Sequence, residues 1–121
     1  MYNVLFDEKG SKELRKLGKN KHIKQIISKK IDLIERKGPR KAKLLDNKLR
    51  VYEIKHKKTE LRIYFFLEDK NIIITYAHIK KSETTQTKII KKIKSAFKSL
   101  GLFLYTFSLS LIQQLVSSKT Q

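Results

Sequence analysis

In the stretch "EIKHKKTELRIYF", residues 53–65, a lysine at 55 and an arginine at 62 stand where a hairpin would set them opposite each other. Arginine grips a phosphate through two parallel hydrogen bonds and lysine adds a mobile point charge, so Lys55 and Arg62 together suit a phosphodiester. Lys57 and Lys58 fall at the hairpin turn, and Lys80 and Lys81 follow the next apolar run, so all four can extend one cationic face. Tyr64 offers a ring that can stack on a base, although strand aromatics are commonly just packed. His78 is either a partly buried, hydrogen-bonded histidine or a proton donor. For Lys57 and Lys58 the plainer account, lysines on the exposed surface of a basic protein, is preferred. Arg62 resists that account because it interrupts "LRIYFFL", a run of otherwise buried type.

These residues need a sheet to position them. "LRVYEIKH", "LRIYFFL" and "NIIITYAHI" are rich in β-branched and aromatic residues and joined by short polar links, which predicts an antiparallel meander. A first turn centred on Lys58 and Thr59 pairs Lys55 with Arg62, Ile54 with Ile63, Glu53 with Tyr64 and Tyr52 with Phe65. One face then carries Tyr52, Ile54, Leu61, Ile63 and Phe65, and the other carries Glu53, Lys55, Arg62 and Tyr64. A second turn centred on Asp69 and Lys70 opposes Leu67 with Ile72, Phe65 with Ile74 and Ile63 with Tyr76. In that register Thr75 and Ala77 are small neighbours of Tyr64 and Arg62 that leave room for a ligand, and His78 turns to the core side. His56 also falls on the apolar side, as a rim residue.

Upstream, "YNVLF" reads as a strand, and Asp7 to Ser11 supply polar starters for a helix carrying Leu14 and Leu17. Gly18 and Asn20 interrupt it. Ile23, Ile26, Ile27, Ile31 and Ile34 form one stripe at helical spacing, predicting a helix over 21–37 that "KGP" then stops. After the meander, "SETTQ" precedes a second stripe of Ile89, Ile90, Ile93, Ala96 and Phe97. The expected fold class is α+β: an N-terminal strand and two-helix hairpin packed on an antiparallel sheet, followed by a C-terminal helix. At 121 residues this is one domain, placed at 1–98. Residues 99–118 carry no charge, but eight of them are Ser, Thr or Gln, which weakens a membrane span. The segment 99–121 is expected to be an extension packed on the domain, ahead of a membrane-surface segment and then a span.

Lysine and arginine outnumber the acids by 29 to 11, a formal charge of +18, which points to a polyanion or an acidic protein as partner. There is no cysteine, and the N-terminus is unlike a secretory signal, so a cytoplasmic protein is expected. No glycine-rich phosphate loop or HExxH is present, and the three histidines are not spaced as a metal site. Acidic residues are too sparse for two-metal nuclease chemistry, so neither a metal nor another cofactor is expected.

The pattern "LRVYEIKHKKTELRIYFFLEDKNIIITYAHIKKSETTQTKIIKKI" resembles the RelE/HigB superfamily of toxins from toxin–antitoxin pairs. The likeness lies in a Tyr-Glu-Ile-basic strand, an Arg-Ile-Tyr-aromatic strand, and an apolar third strand ending in Lys-Lys before a basic helix. The helical pair ending in "ERKGPRKAKLL" is also in family order, so the likeness covers about residues 1–97. It implies a small α/β endoribonuclease with a microbial RNase-like fold, cleaving messenger RNA in the ribosomal A site without a metal and neutralised by an acidic antitoxin. Lys55, Arg62 and Lys81 match the family's basic active-site positions. Arg62 and Lys81 would stabilise charge on the phosphate, Lys55 would be the base, and His78 or Lys80 the acid; Lys57, Lys58, Tyr64 and Lys80 would bind RNA. The family's last helix often carries an aromatic or histidine used in catalysis, whereas Thr87 and its neighbours carry none. An inactive homologue that binds RNA or antitoxin is the first alternative, and a membrane-active protein working through its tail the second.

Overall fold

The computed structural model describes residues 1–80, 88–94 and 104–105. Strand β1 (Asn3–Asp7) runs directly into α1 (Glu8–Leu17), and α2 (Lys21–Lys37) follows after a three-residue turn. Each helix begins on a side chain that satisfies an otherwise orphaned amide: Asp7 accepts from Gly10 N at 2.6 Å, and Asn20 from Ile23 N at 3.1 Å. Gly38 ends α2 at φ 64°, and a Cβ there would strike the Tyr2 ring, so the position requires glycine twice over. A short 3₁₀ turn (Gly38–Lys41) leads to β2 (Lys43–Asp46), a strand absent from the sequence expectation. Strands β3 (Val51–His56), β4 (Leu61–Glu68) and β5 (Asn71–Ile79) form the meander, and a helical turn at residues 88–94 (α3) follows.

Among the described residues the sheet order is β2-β3-β4-β5-β1-β6, where β6 is the two-residue strand Leu104–Tyr105. The meander is antiparallel as expected, while β1 joins β5 in parallel and makes the sheet mixed. The β3–β4 register agrees with the sequence expectation at every pair: Lys55 with Arg62, Ile54 with Ile63, Glu53 with Tyr64 and Tyr52 with Phe65. The β4–β5 register agrees at Leu67–Ile72 and Phe65–Ile74, then slips by one. Thr75 is an extra residue, a bulge, so Tyr64 faces Tyr76, Ile63 faces Ala77 and Arg62 faces His78.

That slip corrects the expected faces. Ala77 and Thr75 are fully buried, Ala77 in the core beside Ile63, so neither makes room near Arg62. Tyr76 and His78 take their place. The main core, with Phe6, Ile27, Ile34, Ile63, Phe65 and Ile74, lies between the sheet and α1 and α2. Val51, Tyr64, Phe66 and Ile73 form a second cluster on the opposite face, closed by Ile89 and Ile93 of α3. Both faces of β4 are therefore covered along Tyr64–Phe66, and the strand emerges at Arg62 near one end and at Glu68 at the other. The expected domain boundary at 98 and the Ala96 and Phe97 part of the last stripe lie outside the described residues. None of the described helices is long and apolar enough to cross a membrane.

Candidate active site

Two rows of side chains cross the sheet on the α3 face. Lys55, Arg62 and His78 occupy one, on β3, β4 and β5 in turn, and Glu53, Tyr64 and Tyr76 occupy the next. Adjacent strands lie about 4.8 Å apart, so Lys55 and His78 flank Arg62 at backbone positions roughly 10 Å from one another. The distance suits two proton-handling groups on opposite sides of one phosphate.

Arg62 is fixed by carboxylates. Its Nη1 donates to Glu53 Oε2 at 3.2 Å and its Nη2 to Glu60 Oε2 at 3.4 Å, while Nε is buried without a hydrogen bond among the described residues. Burial works against the guanidinium charge, but Glu53 and Glu60 outweigh it and hold Arg62 above its ordinary pKa. The Arg62 side chain is 15% exposed and that of Glu53 only 5%, so this pair is well sheltered, whereas Glu60 at 48% is a weaker, movable partner. Glu60 sits at φ 59°, and its carbonyl accepts from Lys80 N at 2.9 Å, which ties the turn to the end of β5.

His78 is held by Tyr64. The phenol oxygen lies 3.0 Å from His78 Nε2, and the rings of Tyr64, Tyr76 and His78 pack as a trio with centroids 5.3 to 5.7 Å apart. Burial, then the charge of Glu53 and a hydrogen bond to it, raise the Tyr64 pKa far above the usual phenol value, with Arg62 opposing. Burial also lowers the pKa of His78; Arg62, Lys92 and Lys80 push the same way and Glu53 resists. The imidazole is therefore kept neutral further into the acid range than a free histidine.

Tyr64 is 2% exposed, so it offers no free face for a base; this corrects the expectation that it stacks on RNA, and its contact with His78 makes it a positioning group. Tyr76, half-buried, is the ring at the surface, with Lys9 Nζ 5.1 Å and Lys92 Nζ 5.7 Å from its centroid. Lys55 and Lys57 are exposed, and Lys80 is partly buried where β5 ends. Lys58 instead lines a cleft of about 530 Å³ on the other side of the sheet, with His22, Ile26, Lys29, Leu33 and His56. Lys81 and Thr87 lie outside the described residues. Sequence reasoning missed Glu53, Glu60, Tyr76, Lys9 and Lys92 as parts of this site. The β3–β4 register already placed Glu53 on Arg62's face, whereas Tyr76 needed the bulge. Among the described residues no group of acids and histidines is arranged to hold a metal ion.

The model of a family described as "Phage derived protein Gp49-like (DUF891)" matches residues 12–98. Comparison with curated proteins finds no match. Among solved structures, the crystal structure of the isolated E. coli RelE toxin aligns with a TM-score of 0.56 at 24% identity, covering 77% of this chain and 99% of that one. At this identity the likeness is one of fold.

Proposed function

The chain belongs to the Gp49-like family, and we propose that it is the toxin of a toxin–antitoxin pair, an endoribonuclease acting on messenger RNA in the cytoplasm. Its RelE-like fold agrees with the resemblance to RelE/HigB toxins seen in the sequence. The observation that carries the reading is the row Lys55–Arg62–His78, a guanidinium flanked by two groups able to move protons. In the proposed reaction the RNA 2′-hydroxyl attacks the adjacent phosphorus, the bond to the 5′-oxygen breaks, and a 2′,3′-cyclic phosphate and a 5′-hydroxyl are formed. Arg62 stabilises the charge that builds on the phosphate oxygens.

Burial and the surrounding cations keep His78 neutral and so available to take the 2′-hydroxyl proton, a change from the acid role expected from sequence. The Tyr64 hydroxyl has one proton and faces a carboxylate that only accepts, so it donates to Glu53 and its oxygen accepts from His78 Nε2–H. Nδ1 is then the free base. Lys55, across Arg62, gives a proton to the leaving oxygen in this scheme. Lys9, Lys57, Lys80, Lys92 and, by sequence, Lys81 provide cationic surface for ribosome and message, cleavage being placed in the A site by family resemblance. An acidic antitoxin is the partner that the +18 charge fits.

One observation favours a second reading: Arg62 is already closed on Glu53 and Glu60, as it would be in an inactive homologue that only binds RNA or antitoxin. The two are separated by incubating the full chain with a defined messenger, with and without programmed ribosomes, beside Arg62→Ala and Arg62→Lys. Cleavage should fall about 10²- to 10³-fold in Arg62→Ala. That variant also leaves Glu53 unpaired at a cost of about 3 kcal/mol, so folding is checked by circular dichroism. Undiminished cleavage by folded Arg62→Ala removes the proposed site; ribosome binding without any cleavage by the wild type selects the inactive homologue.

A further inference from the structure

Two ammonium groups converge on one ring beside the reacting row. Lys9 Nζ lies 5.1 Å and Lys92 Nζ 5.7 Å from the Tyr76 ring centroid, both within cation–π reach. They come from opposite faces of the sheet. The pairing of β1 with β5 ends at Phe6 and Ile74, where the first turn of α1, which carries Lys9, comes up against the strand. Lys92 belongs to α3, which packs on the other face through Ile89 and Ile93.

Both lysines are exposed, and among the described residues neither makes a salt bridge. Their neighbours do: Lys12 pairs with Glu8 at 3.4 Å and Lys94 with Asp46 at 3.7 Å. Asp7, two residues before Lys9, is fully buried and turns Oδ1 to Gly10 N. Two like charges on one ring, with no carboxylate bridging them, are most favourably placed when an anion lies between them.

Tyr76 and His78 are two residues apart on one face of β5, a stride of about 6.6 Å that is comparable to one sugar–phosphate repeat. Their ring centroids are 5.3 Å apart. We infer that Lys9, Tyr76 and Lys92 form a seat for a second backbone phosphate, next to the one that Arg62 holds. The seat deepens the proposed ribonuclease reading and rests on it for the direction of the strand. In that scheme His78 takes the proton of the attacking 2′-hydroxyl and Lys55 serves the leaving oxygen, so the attacking nucleotide lies on the β5 side of Arg62. The phosphate that reaches Lys9 and Lys92 is therefore the one 5′ to that nucleotide. The substrate is a strand that continues upstream of the cut.

The test uses the full chain and a dinucleoside monophosphate made with and without a 5′-phosphate. With a 2′-deoxy first sugar neither form can be cut, and binding is followed by NMR at the Tyr76 ring. The 5′-phosphate should tighten wild-type binding about tenfold, the effect of one charge-assisted contact. That gain should vanish when Lys9→Gln and Lys92→Gln are combined, and survive when both lysines are replaced by arginine. Lys57→Gln removes a charge at the far turn and should keep the gain. Absence of the gain in the wild type, its persistence in the double glutamine variant, or its equal loss in Lys57→Gln would overturn the inference.

Cleavage of the corresponding ribonucleotides reads the direction. A 5′-phosphate should raise kcat/KM about tenfold through the lysine pair, and a 3′-phosphate should owe nothing to it. A 3′-phosphate gain that disappears in the double glutamine variant would overturn the upstream placement. A chain that cuts nothing, yet shows the binding gain and loses it with the two lysines, keeps the seat and removes the ribonuclease reading alone.

Discussion

His56 and His78 stand in neighbouring rows of one sheet but on opposite faces. His56 lies in the row His56–Leu61–Ile79, facing the main core and α2, and His78 in the row with Lys55 and Arg62. Burial lowers the pKa of both, and lysines push each further: Lys30, Lys58 and Lys29 for His56, with His22 beside them, and Lys92 and Lys80 for His78. Depressed proton affinity therefore does not separate a structural histidine from a reactive one. Connectivity does. His56 Nδ1 ends on Thr59 Oγ1 at 2.9 Å, a local contact within its own turn, while His78 is wired through Tyr64 to Glu53 and Arg62.

His78→Gln breaks this comparison most severely, with an expected loss of about 10²- to 10⁴-fold in cleavage and little change in fold. The sign of the pH dependence follows from the depressed pKa. In the proposed scheme neutral His78 is the active form, so wild-type cleavage should persist at neutral pH and fall as pH drops below about 6.5 through the folded-state midpoint. The same depression means that the stability His78 contributes is present above its unfolded value and lost on acidification. A pH–rate profile whose acid limb is unchanged in His78→Gln would assign that limb to another group.

The faces also differ in what holds them, and Phe65→Ala sharpens that difference. Phe65 is fully buried in the main core and stacks on Tyr52 with ring centroids 5.5 Å apart. Its truncation should cost about 3 to 5 kcal/mol, measured by urea unfolding. A cost near 1 kcal/mol would mean that this core collapses around the gap, and that the helix-covered face is less tightly determined than its burial implies.

Most of the frame was legible because it follows from short-range pattern. The isoleucine stripe of α2 ends where Gly38 and Pro39 stop it, and the β3–β4 pairing follows once the turn is centred on Lys58 and Thr59. The bulge at Thr75 was not, because strand register is settled by packing between elements far apart in sequence, as where Gly10 of α1 meets the Ile74 carbonyl only in the fold. One unforeseen residue was enough to move His78 from the expected core side to the row of Arg62 and to put Ala77 in the core. Strand β2 escaped for another reason. "KLLD" is short and half exposed at the sheet edge, so its pattern is hard to tell from that of a basic loop.

The smallest expected effect is the most exacting for the contrast between the two histidines. His56→Ala removes the Thr59 contact and opens the cleft toward Lys29 and Lys58, and a single part-buried hydrogen bond of this kind contributes about 1 kcal/mol or less. Cleavage should be unchanged, because His56 points to the face away from Arg62. Acid sensitivity should ease slightly: wild-type His56 has to take up a proton among Lys29, Lys30 and Lys58 as pH falls, and alanine does not. Urea unfolding at neutral and acid pH, beside a cleavage assay, measures both. A large loss of cleavage in stable His56→Ala would place reactive chemistry in the α2 cleft, and the depressed pKa of His78 would then mark only a packed ring.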